Sequence, residues 1–164
     1  MSIFGKKNKN GNRSVNLSFI DGVPGYSKGT AIELSLNDNE QCLTMIARVY
    51  KKPPVHLKYE QIVAANVVSE KEIIEKSKNT VGRAIAGGVI LGPLGAIIGG
   101  ISGIGNKQVS NKHYFLVINY KSKDDELKVI SFEIVGASLH WSSFVDELRK
   151  KFKSENIEEN EIYL

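Results

Sequence analysis

Residues 84–106 read AIAGGVILGPLGAIIGGISGIGN, twenty-three positions without one charge. Eight of the chain's fifteen glycines lie between Gly87 and Gly105. As a straight helix rising about 1.5 Å per residue, the stretch would reach the ~30 Å of a bilayer's hydrocarbon. Small residues recur at every fourth position in two registers: Ala84, Gly88, Gly92, Ala96 and Gly100 form one, and Gly95, Gly99 and Gly103 the other. That repeat lets helix backbones approach closely. In water it is poor helix material, because each interior Gly costs about 1 kcal/mol relative to Ala. A chain carrying so many must gain from tight contact, or from a bilayer that forces backbone hydrogen bonding.

Gly92-Pro93 lies near the centre, and Pro93 both lacks an N–H and restricts its neighbour. The spacing predicts two helical arms, 81–91 and 94–104, folded as a hairpin, with a kinked single span as the alternative. Lys76, Lys78 and Arg83 precede the stretch, and Lys107 and Lys112 follow it. Basic flanks at both ends favour a hairpin whose ends stay together on the cytoplasmic side. Each arm, about 16 Å long, is too short to span a bilayer alone, so a monomer would dip into one leaflet. Several copies packed through their glycine faces would line a defect or pore. The contacts expected to carry that packing are Gly88, Gly92, Gly95, Gly99, Gly100 and Gly103, with Lys6, Lys7, Arg83 and Lys107 at the membrane surface.

Outward on both sides the pattern changes to strands. Val15–Ile20 and Thr30–Leu36 alternate, Asn37–Glu40 has turn chemistry, and Cys42–Val49 returns as the second half of a hairpin. Val55–Tyr59 is a short strand after Pro53-Pro54, and Ile62–Val68 is a β-branched strand that runs on toward Glu70–Ile74. Beyond the insert, His113–Tyr120 is strongly apolar, Lys121–Glu126 is a charged turn and Leu127–Ile134 alternates. These make seven strands with short connections, so a mostly antiparallel sheet is expected. Trp141, Phe144, Val145, Leu148 and Phe152 then recur at steps of three and four, the apolar stripe of a helix capped by Ser142 or Ser143.

Seven antiparallel strands and a closing amphipathic helix follow the pleckstrin-homology (PH) order. The run Pro54-Val-His-Leu-Lys-Tyr-Glu-Gln-Ile62, the strand after it and the Ser138–Phe152 helix resemble bacterial PH-like domains. The resemblance implies an α+β fold: a seven-stranded antiparallel PH-like barrel with one open corner plugged by the C-terminal helix, and an inserted Gly-rich helical hairpin. It implies binding to lipid, peptide or protein without saying which. The insert is in turn similar to glycine-zipper segments of membrane-associated bacterial proteins. The expected division is a flexible basic arm (1–14), a first barrel part (15–75), the hairpin (76–112), a second barrel part with its helix (113–153) and an acidic tail (154–164).

Composition narrows the function. One cysteine, Cys42, excludes an internal disulfide, and three separated histidines offer no cluster for a structural zinc. The net charge of +4 is too mild to demand nucleic acid, and none is expected as a partner. Residues 1–14 carry Lys6, Lys7, Lys9 and Arg13 with no acid, and lack the apolar run of a secretory signal, so a cytoplasmic chain is expected. Gly100–Gly105 is followed by Asn106-Lys107, where a phosphate loop needs Lys at once and then Ser or Thr. The dinucleotide fingerprint lacks its third glycine. Cys42 reads as a small buried hydrophobe, and His56, His113 and His140 show no carboxylate or cysteine partners. Lys150, Lys151 and Lys153 read as a solvated face. No enzyme activity, cofactor or metal is expected.

The function expected from these readings is an oligomeric effector at the inner membrane, in which barrel and helix sense a phage or host protein and the glycine hairpin permeabilises the bilayer. Likeness to small bacterial conflict proteins implies phage defence as the setting, for a bacterial or prophage-encoded product. The alternative is a soluble PH-like protein- or lipid-binding module whose hairpin only mediates self-association.

Overall fold

Alternation along the first strands sets the architecture. In β1 (Ser14–Asp21) Val15, Leu17 and Phe19 point inward, and in β2 (Ala31–Asn37) Ile32, Leu34 and Leu36 do the same. The computed structural model describes residues 7, 11–49, 51–78, 84–85, 89–90, 92 and 113–157. β3 (Cys42–Ala47) and β4 (Val55–Lys58) extend the meander, and β5 (Ile62–Ser69), β8 (Tyr114–Lys121) and β9 (Leu127–Ile134) complete one seven-stranded sheet. Its order is β4-β3-β2-β1-β9-β8-β5, with every pairing antiparallel.

The sheet is open rather than closed by a continuous ladder. Its edges, β4 and β5, are consecutive in the chain and joined by a 3₁₀ turn at Tyr59–Gln61. Tyr59 is wholly buried at this corner and its hydroxyl donates to Asp38 (3.3 Å), while the Gln61 amide donates to the Lys121 carbonyl (3.0 Å). The helix α2 (Trp141–Ile157) covers the inner face. Its Phe144, Val145, Leu148 and Phe152 are buried in the main core, each contributing about 1.5–3 kcal/mol by leaving water, and Trp141 packs at the margin. The Arg149 Nε donates to the Ala65 carbonyl at 2.8 Å, tying α2 to β5.

Several elements depart from the sequence reading. β5 does not run on through Glu70–Ile74; it gives way to helix α1 (Glu70–Lys78). The reason is a capping box: the Glu72 N–H donates to Ser69 Oγ (3.2 Å) and the Ser69 N–H to Glu72 Oε2 (2.7 Å), satisfying free donors reciprocally. Ser142 and Ser143 lie inside α2 rather than capping it; His140, at φ +60, precedes the helix, and its carbonyl accepts from Phe144 N–H (3.1 Å) and Ser143 Oγ (3.0 Å). Within the basic arm, the described residues Lys7 and Arg13 have partners. Arg13 donates to the Ser143 carbonyl (3.3 Å), its own carbonyl accepts from Leu36 N–H (2.9 Å), and Lys7 forms a β-bridge with it.

The insert differs most. Ala84–Ile85 (β6) and Val89–Ile90 (β7) pair as a short antiparallel ladder, with Ala84 opposite Ile90. These residues of the first arm are therefore extended, not helical. Isolated from lipid, the glycine penalty is uncompensated, and β-branched Val89 and Ile90 favour a strand. The second arm, 94–104, lies outside the described residues.

Candidate functional site

Each strand has a second face, and in an isolated antiparallel domain that outer face is normally polar. Here part of it is apolar. Ile20 of β1, Val68 of β5, and Phe115 and Val117 of β8 form a second buried cluster outside the barrel, with Ala64, Ile74 and Val129 at its rim. The register places them side by side: Val68 opposite Phe115, and Val117 opposite Ser131. The capped α1 lays Ile73 across this face, and that side chain is 0% exposed.

The insert leaves and rejoins the sheet beside this face. Ser69 pairs with Tyr114, and the Glu70 N–H donates to the His113 carbonyl at 2.9 Å. Gly92 touches the same face. Its φ is +57, and a Cβ built there would stand 2.4 Å from Val129 Cγ1. Glycine is thus required at 92 for both conformation and space. At this one described position the charge-free segment rests its backbone against the β9 side of the apolar face.

A second feature occupies one end of the barrel. The β1–β2 loop and the β3–β4 loop meet where Lys52 Nζ donates to the Gly25 carbonyl and lies 5.7 Å from the Tyr26 ring centroid. Lys28, Arg48, Lys51 and Lys52 are all exposed on these loops. Arg48 pairs with Glu33, whose side chain is 6% exposed. Tyr26 stacks edge-on against Phe19, and its buried hydroxyl has no hydrogen-bond partner among the described residues. Burial pushes its phenol above the ordinary value. No motif pointed to this basic mouth, because its cations come from two loops that only the fold brings together.

Of the residues singled out from the sequence, Gly92 sits on the outer face and Lys7 is exposed beside Arg13. Gly88, Gly95, Gly99, Gly100, Gly103, Lys6, Arg83 and Lys107 lie outside the described residues. Lys151 is not merely solvated: it donates to Asp38 at 2.9 Å and pairs with Glu147. Two histidines do have partners, contrary to expectation. His113 Nδ1 lies 3.0 Å from Glu133 Oε1, and His56 Nδ1 lies 3.7 Å from Cys42 Sγ and 4.0 Å from Glu40 Oε2. Among the described residues, no helix is long and apolar enough to cross a membrane.

Comparison with known proteins adds one result. The model of a family described as "Glycine zipper containing PH domain" matches residues 24–133, which is 110 of the 164 positions. The match takes in most of the open sheet, α1 and the whole charge-free segment. Neither a curated protein nor a solved structure matches.

Proposed function

The chain belongs to the family of glycine zipper containing PH domains, and from that premise we propose that it is a self-associating protein whose barrel carries its own zipper in a docked, inactive form. On release, the segments of several copies pack through Gly88, Gly92, Gly95, Gly99, Gly100 and Gly103 and act at the inner membrane, making it permeable. The small-residue faces that are unused in water become helix contacts in lipid, where every backbone group must be bonded internally. The trigger is a protein bound by the barrel, and arrest of phage-infected cells is the physiological setting we propose.

The observation that carries this reading is the seating of Gly92 on Val129, at the rim of an apolar face outside the barrel core. A latch of this kind holds the segment at Gly92 until its docking face is disturbed. Val129→Asp places a charge on that face while leaving the glycine segment intact. We expect the variant to form larger oligomers in size-exclusion chromatography and to release dye from anionic vesicles. Adding Gly99→Glu to Val129→Asp is expected to abolish the release. A Val129→Asp protein that remains monodisperse, at wild-type size and without leakage, overturns the latch.

A second reading has its own support. The exposed cations of the two loops, with Lys52 beside Tyr26, suit an anionic headgroup or an acidic protein segment, the binding-module alternative. On this reading Lys51→Glu combined with Lys52→Glu reduces co-sedimentation with anionic vesicles several-fold and leaves the oligomeric state unchanged. Unchanged sedimentation removes the mouth from the membrane contact.

A further inference from the structure

The β3–β4 edge brings His56 to two side chains that precede it by fourteen residues or more, Cys42 and Glu40. Cys42 opens β3, Glu40 lies in the turn before it, and His56 lies on β4 two pairs along, opposite Thr44. Leu43, Met45 and Leu57 point into the core, so Cys42, Thr44 and His56 share the outer face. Cys42 Sγ lies 3.8 Å from Glu40 Oε2 and 3.7 Å from His56 Nδ1, and that nitrogen lies 4.0 Å from Glu40 Oε2. The three donor atoms form a nearly equilateral triangle.

Those distances are the edges of a coordination tetrahedron. Bonds of about 2.0–2.3 Å from zinc to N, O and S set ligand atoms roughly 3.3–3.8 Å apart. The two edges at sulfur are already within a few tenths of an ångström of that size, and the 4.0 Å edge between His56 Nδ1 and Glu40 Oε2 shortens by roughly half an ångström when the exposed Glu40 carboxylate swings onto the ion. We propose that Glu40, Cys42 and His56 bind one borderline-soft divalent transition ion of the Zn²⁺ type, with water in the fourth position. The donor set selects the class: a thiolate and an imidazole suit zinc, whereas calcium and magnesium demand more oxygen ligands than a single carboxylate supplies. On binding, the Cys42 thiol releases its proton to solvent, and thiolate plus carboxylate then balance the two positive charges.

The surroundings fit. Lys58 Nζ is held on the main-chain carbonyl of Glu40 at 2.9 Å, which anchors the turn without occupying the carboxylate. Thr44 Oγ1, 3.1 Å from His56 Nδ1 and 3.7 Å from Cys42 Sγ, gives up the imidazole when metal arrives and donates to the thiolate. Cys42 is the chain's sole cysteine, so an internal disulfide does not compete for it. The ion would staple the turn at residues 37–41 and the edge strand β4 to β3, on the outer face of the strands that lead to the basic mouth.

Titration of the full-length, chelator-treated protein with Co²⁺ tests the site. One equivalent is expected to produce the near-ultraviolet thiolate-to-cobalt charge-transfer band, which Zn²⁺ then bleaches by displacement. Cys42→Ser should abolish the band. His56→Ala and Glu40→Gln, at exposed positions that leave the core intact, should each weaken Co²⁺ binding about tenfold or more. Zn²⁺ should raise the melting temperature of the wild type and not that of His56→Ala. Absence of a thiolate band at stoichiometric Co²⁺ overturns the proposal, as does a band of equal affinity in His56→Ala and Glu40→Gln.

Discussion

At Gly22 the backbone takes φ +110, and a Cβ there would stand 2.3 Å from the Val129 carbonyl oxygen and 2.7 Å from the Ile130 Cα. Neither neighbour is a flexible side chain, so the backbone itself must move to admit a methyl group. Gly22→Ala is expected to destabilise the protein by roughly 2–3 kcal/mol, read as a lower urea midpoint at unchanged slope. Tyr26 works in the opposite sense. Its hydroxyl is buried without a partner among the described residues, and burial raises its phenol above the ordinary value of 10.0. An acid raised in the folded state ionises first in the unfolded chain. Its contribution is therefore full below pH 10.0 and is lost as pH climbs through the higher folded value. Tyr26→Phe removes an unsatisfied hydroxyl, so at neutral pH it should be more stable by up to about 1 kcal/mol. Above pH 10.0 its melting temperature should fall less steeply than that of the wild type.

Helix α1 shows how one small signal redirects an element. Ser69 is the last residue of β5 and also the cap of α1, through its contacts with Glu72. Ser69→Ala should cost about 1 kcal/mol locally and speed hydrogen exchange in α1, while β1–β4 stay protected. Elements with a strong period were legible: the alternation of Thr30–Leu36 and the Trp141–Phe152 stripe each occur where they were read. α1 was not, because Val68 and Ile73-Ile74 continue an apolar rhythm that hides a Ser-x-x-Glu box. The insert misled for a different reason. Small residues at every fourth position describe a helix that lipid or a partner would stabilise, and Ala84–Ile85 and Val89–Ile90 have neither. The apolar outer face did leave a trace. His113–Tyr120 is apolar on both of its alternating sides, the mark of a strand covered twice. The Glu40–Cys42–His56 triangle left none, since it depends on the β3–β4 register rather than on spacing along the chain.

For the molecule as a whole, the question is whether the barrel needs its insert. Among the described residues, the main core holds side chains from both barrel parts, from Val15 to Phe152, and none from the charge-free segment. Ser69 opposite Tyr114, and the Glu70 N–H on the His113 carbonyl, bring the two ends of the excursion within one ladder spacing. Closing that gap therefore requires no rearrangement of the sheet. Removing α1 as well would bare Val68, Phe115 and Val117, which Ile73 covers. The informative deletion keeps α1 through Lys78 and replaces residues 79–112 with a flexible Gly/Ser linker of about eight residues, long enough to run back along the nine-residue helix. We expect this protein to unfold cooperatively near the wild-type temperature, because its main core is intact. It should also lose all self-association and dye release, even when it carries Val129→Asp. Cooperative unfolding with persistent oligomers would place self-association in the barrel and remove the zipper from that role. Failure to fold would mean that the segment covers enough of the outer face to be a structural layer, with no freedom to leave it.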